Sequence, residues 1–98
     1  MSETESMPVV HNQEGHRFEV ILEGRHSQLQ YVMDADTMFI THVGVHPELR
    51  GQQLAGRLMQ AGLEYARANG LRVVPQCAYA NAYMRRHPEN DDLLKGRK

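Results

Sequence analysis

The sequence predicts an α+β fold, a mixed sheet carrying one main helix. Three observations predict it: period-two alternation in the segments before residue 35, a long helical stripe beginning at Leu54, and the β-branched pair Val73 and Val74 after that stripe. A strand, a helix and a second strand in that order imply a right-handed crossover, so the two strands flanking the helix should pair in parallel.

The elements follow in chain order. "RFEVIL" alternates Phe18, Val20 and Leu22 against Arg17, Glu19 and Ile21, and "QLQYVM" alternates Leu29, Tyr31 and Met33 against mostly polar neighbours. Each reads as a half-buried strand, and with the turn-forming "NQEG" and "EGRH" residues 9–34 read as antiparallel hairpins. "DADT" turns the chain into "MFITHVGV", which is apolar on both faces and therefore an interior strand. Pro47 and Gly51 end it. Leu54, Leu58, Ala61, Gly62 and Tyr65, widened by Met59, Leu63 and Ala66, mark one helix face, which Asn69 and Gly70 stop. "LRVVPQC" is a short strand that leaves the sheet at Pro75, and "AYANAYMRRH" is a helix of about two turns before Pro88. "ENDDLLKGRK" reads as a charged, frayed end with Leu93 and Leu94 positioned to dock back.

At 98 residues the chain makes one domain, expected over 9–94 with disordered tails at 1–8 and 95–98, so any site must be built on the core fold. The composition, 41% hydrophobic and 23% charged, excludes disorder and simple repeats. No stretch approaches the roughly eighteen apolar residues of a membrane span. "MSETESMP" lacks the basic start and apolar run of a signal peptide, and Cys77, the only cysteine, has no internal disulfide partner; the expected location is the cytosol. The net charge of -1 hides an asymmetry: two Arg against eight acids over residues 1–49, nine Lys or Arg against four acids over 50–98. A basic half of this kind suits a small anion. Without a Lys-rich run interleaved with aromatics it does not suit nucleic acid.

The basic half begins inside "VGVHPELRGQQLAGRLM". Here a strand ends, small residues follow and a helix starts, so unpaired N–H groups and the positive end of a helix dipole meet at one point. Arg50 adds a charge-assisted donor there, and Arg57, one helical turn or so along, can reach the same anion.

These residues resemble the acyl-CoA-binding motif of the GNAT superfamily of N-acetyltransferases, with Arg50, Gly51, Gln52, Leu54 and Ala55 matching and Gln53 standing where a central glycine is usual. "VVPQCAYANAYMRRHP" is similar to the end of the short, single-domain branch often labelled YjdJ-like, which carries a cysteine after the last strand. The resemblance covers residues 9–94. It implies a minimal GNAT-like fold, with acetyl-CoA or coenzyme A as co-substrate and an amine, small or on a protein, as acceptor. The N-terminal substrate-binding helices of larger family members have no counterpart in this sequence.

The resemblance also implies a site. Val43, Gly44, Val45, Arg50, Gly51, Gln52, Gln53, Leu54, Ala55, Gly56, Arg57, Tyr79 and Asn81 are expected to bind the cofactor, and Cys77, His42 and Tyr83 to serve catalysis. Cys77 taken alone is a small core residue, but at a strand end before a helix it can act as an acyl-accepting nucleophile helped by His42. Tyr83 can protonate the departing thiolate, although core packing is the ordinary role of such a ring. Asn81 can cap the helix or reach the pantetheine arm. Gln53 can point away, add an amide contact or weaken binding; at positive φ it would cost roughly 1 kcal/mol or more. His42 and His46 are four apart on a strand running into a proline turn, where that spacing does not place both on one face as it would on a helix, and no Cys or His pair completes four ligands, so no metal site is expected. Asp34, Asp36, Asp91 and Asp92 read as solvated charges. The expected function is acetyl transfer to an amine, directly or through Cys77. The alternative is a CoA-binding or protein-interaction module of the same fold without catalysis.

Overall fold

The computed structural model describes residues 9–22, 24–49 and 53–94. Strands β1 (Val10–Asn12), β2 (Arg17–Leu22), β3 (Arg25–Asp34), β4 (Thr37–Gly44) and β5 (Arg72–Pro75) form one sheet in that order. Neighbours β1 to β4 are antiparallel, and β4 pairs with β5 in parallel. Helix α1 (Leu54–Ala68) makes the crossover, and α2 (Ala78–Arg86) follows β5. The expected mixed sheet, main helix and parallel final pair are all present. The tails expected at 1–8 and 95–98 lie outside the described residues.

Alternation does what it predicts. Phe18 and Val20 of β2, Leu29 and Tyr31 of β3 and Met38 and Ile40 of β4 are buried on one face, while Ile21 and Val32 are exposed on the other. Helix α1 covers the inner face with Leu54, Leu58, Met59, Gly62, Leu63 and Ala66. Ala61 and Tyr65 are only half-buried, so the stripe is centred on the flank that widens it. At Gly62 the helix comes so close that a β-carbon would lie 3.4 Å from Leu29 Cδ1. Gly70, at φ 67°, stops the helix, and the Leu71 N–H returns to Ala66 O at 2.8 Å.

Two details depart from the sequence pattern. The register of β3 and β4 passes from Tyr31 opposite Ile40 to Gln30 opposite His42, leaving Thr41 as an extra residue. This bulge reverses the alternation of β4, so Val43 shares the inner face with Leu29 while His42 turns outward with Gln30. The C-terminal segment, expected to be frayed, is ordered as far as Leu94. Residues Pro88–Leu93 form a 3-10 turn with Leu93 buried, and Leu94 bridges Val73. Arg72 Nη1 donates to Asp92 O and Arg67 Nη1 to Asp92 Oδ2, both at 2.6 Å, so basic residues before and after Gly70 tether it.

Candidate functional site

Beyond Ile40 the sheet opens. Pairing of β4 with β5 ends at Ile40 opposite Pro75, and Ile40 O takes the N–H groups of Gln76 (2.9 Å) and Cys77 (3.2 Å) as the chain turns away. The last strand has therefore ended before it could face His42, whose partner is Gln30 of β3. Cys77, expected at the strand end with a helix directly after it, lies two residues past the end of β5 and at the start of that helix. It is the N-cap of α2, with extended backbone and Sγ accepting the Ala80 N–H at 3.3 Å. His42 folds over Gly44, where a β-carbon would lie 2.8 Å from its Nε2. No hydrogen bond joins His42 to Cys77 among the described residues.

The opening continues into a groove of about 290 Å³. Val43 and Val45 come from the end of β4, Leu49 from the 3-10 turn Pro47–Leu49, Gln53, Leu54 and Ala55 from the start of α1, and Tyr79 from α2. The walls are mostly apolar. The floor is polar for a backbone reason: the first helical bond runs from the Arg57 N–H to Gln53 O at 3.1 Å, and no side chain caps the turn before it. Its N–H groups therefore have no intrahelical partner. Gln53 sits at φ 60°, ψ 26°, the left-handed region in which a glycine carries no penalty. Gly56 and Arg57 are half-buried in that turn. Arg50, Gly51 and Gln52 lie outside the described residues.

The tyrosines of α2 close the groove. A β-carbon at Gly56 would lie 3.9 Å from Tyr83 Cε2 and 4.0 Å from Tyr79 Oη, so both rings pack beside the first turn of α1 at a distance that alanine would also tolerate. Tyr79 faces the groove, while Tyr83 stacks on His87 with centroids 4.1 Å apart and faces a neighbouring cleft. Burial pushes both phenols above the usual tyrosine range. For Tyr83, Tyr79, Glu89 and Glu64 act in the same direction; for Tyr79, Arg86 opposes it. Asn81 is not part of this arrangement and lines a separate hollow with Pro75, Met84 and Arg85. No group of side chains suited to a metal ion occurs among the described residues.

A strand that parts from its neighbour above an uncapped helix start is the geometry of an acyltransferase fold, and the comparisons give the family. The family model of GCN5-related N-acetyl-transferases matches residues 17–93, so the chain belongs to that family. It is similar in fold to the NMR solution structure of a GCN5-like protein from Staphylococcus aureus, with 23% identity and a TM-score of 0.74 over 94% of this chain and 91% of the other. No curated protein matches it.

Leu49 of the groove and Glu64, His87 and Glu89 of the neighbouring cleft were not singled out by sequence reasoning, whereas Tyr83 was. Glu64 lies on the exposed side of α1 and reads as a solvated charge. It stays exposed, and only the packing of α2 beside α1 makes it part of a cleft wall.

Proposed function

We propose that the chain transfers an acetyl group from acetyl-CoA to an amine by direct attack. The observation that carries this reading is the groove itself, which links the unpaired end of β4 to the uncapped start of α1. Val43, Val45, Leu49 and Leu54 suit an apolar pantetheine arm, and the first-turn N–H groups suit a pyrophosphate. Arg50, Gly51 and Gln52 belong to the same segment and are assigned to phosphate binding. Bound acetyl-CoA supplies the activated acyl group. In the transfer the amine nitrogen bonds to the carbonyl carbon, the carbon–sulfur bond breaks, and the amine loses its proton to solvent. Tyr79, which faces the groove, is assigned the proton that goes to the leaving sulfur, in place of the Tyr83 that the family resemblance implies.

Direct attack is preferred over transfer through Cys77 because Sγ is engaged as a helix cap and His42 turns to the outer face. Incubation with acetyl-CoA alone separates the routes: an acetyl adduct lost in Cys77→Ser would restore the covalent one. With acetyl-CoA and an amine, CoA should be released stoichiometrically with acetylated amine. Tyr79→Phe should lower kcat on the order of 10²-fold with little change in acetyl-CoA binding. Because its pKa is raised, the Tyr79 phenol stays protonated through neutral pH, and its contribution should fade only as pH rises through the raised value. CoA binding without turnover of any amine would return the chain to the non-catalytic alternative.

A further inference from the structure

Next to the groove, on the other side of Tyr83, lies a larger cleft of about 460 Å³ between α1 and the segment from α2 into the 3-10 turn Pro88–Leu93. Glu64 and Arg67 contribute from α1; Tyr83, His87, Glu89 and Asn90 contribute from the opposite wall. We propose that this cleft binds the cationic part of the acceptor, a primary amine or polyamine, an inference that rests on the acetyl-transfer reading for its place in the reaction.

The charge arrangement selects the ligand class. Arg67 is already neutralised, donating to Asp92 Oδ2 at 2.6 Å and to Asn90 Oδ1 at 3.1 Å, so it closes one end of the cleft without setting its sign. The sign is set by Glu64 and Glu89. Glu89 meets only His87 Nδ1, at 3.3 Å, and Glu64 has no hydrogen-bond or ion-pair partner among the described residues. An ammonium between these carboxylates would also meet the Tyr83–His87 stack, whose rings lie 4.1 Å apart at 25° and offer aromatic surface to a cation. The volume far exceeds that of a bare ion, and the described residues hold no group that suits a metal. An organic cation fits where a metal does not.

Position supplies the link to the reaction. The Tyr83 ring borders the cleft, and its centroid lies 6.3 Å from that of Tyr79, which lines the groove assigned to the co-substrate. It stands between the cleft and the helix start assigned to the co-substrate.

Putrescine is the probe. Added to the full chain in about 150 mM salt, it should shift the amides of Gln60–Arg67 and Tyr83–Asn90, and the double variant Glu64→Gln, Glu89→Gln should weaken its binding at least tenfold while leaving the amide spectrum folded. In steady-state assays with acetyl-CoA the double variant should raise KM for putrescine at least tenfold, with kcat within about twofold and KM for acetyl-CoA unchanged. Turnover with an unaltered amine KM, shifts confined to the outer face around His42, or no putrescine binding would overturn the assignment while leaving acetyl transfer intact. Carboxylate-dependent binding in the cleft without turnover of any amine would do the reverse, leaving an amine site and removing the transferase reading.

Discussion

At φ 60°, ψ 26°, the β-carbon of Gln53 crowds the carbonyl oxygen that follows it, a clash that glycine lacks. The side chain is exposed and makes no capping hydrogen bond, so nothing shown among the described residues offsets that cost. Gln53→Gly should therefore stabilise the fold by about 1 kcal/mol, raising Tm by about 4–8 °C for a domain of this size. CoA affinity should stay level or improve. Gly70 is the mirror control: its φ is 67° and no atom lies within 4 Å of the place a β-carbon would take, so Gly70→Ala should cost about 1 kcal/mol through backbone strain alone. A loss of CoA affinity in Gln53→Gly would instead identify the glutamine amide as a ligand contact.

The joint between α1 and the sheet is set by Gly62. A β-carbon there would meet Leu29 Cδ1 at 3.4 Å and Phe18 Cε1 at 3.8 Å, which a small adjustment of the leucine accommodates. Alanine also gains about 1 kcal/mol of helix propensity, so Gly62→Ala should leave urea stability within about 1 kcal/mol of the parent. Gly62→Leu has to lift the helix from β2 and β3 and should cost about 1–3 kcal/mol or more. Equal stability of the leucine variant would mean that α1 does not approach the sheet this closely. The lift should also widen the groove, since Leu54 and Ala55 ride on the same helix.

Across the whole molecule, the first strand is tied to the rest through His11. Its ring stacks on Phe18 at 4.0 Å, meets the edge of Tyr65 at 4.4 Å, and Nε2 lies 2.6 Å from Tyr31 Oη, joining β1, β2, β3 and α1. Burial lowers its pKa below 6.5. The unfolded chain then binds the proton more readily than the folded one, so this contribution to stability is present above about pH 6.5 and is lost as pH falls toward the lowered folded value. Urea midpoints should fall between about pH 7.5 and 5, and His11→Phe should flatten part of that slope. An NMR titration placing the His11 pKa at or above 6.5 would overturn the sign.

Sequence alone determined what depends on neighbours along the chain. The alternation of Phe18, Val20, Leu29 and Tyr31 specified the inner face of the sheet, the Leu54–Ala66 stripe specified the helix, and the strand–helix–strand order specified the parallel pair, because each is a repeat of backbone geometry written directly in residue type. The motif from Val43 to Arg57 likewise marked the helix start that opens the groove. What only the tertiary structure decided depends on register and packing. The extra residue Thr41 turns His42 away from the inner face, and no local pattern in "MFITHVGV" announces a bulge that exists only against β3. The C-terminal turn is held by Arg67, Arg72 and Val73, contacts whose partners are some twenty residues away in the chain. The cleft beside Tyr83 arises the same way: its carboxylates look like ordinary solvated charges until α2 is laid against α1, because a one-dimensional pattern records which face a residue is on but not which other face it meets.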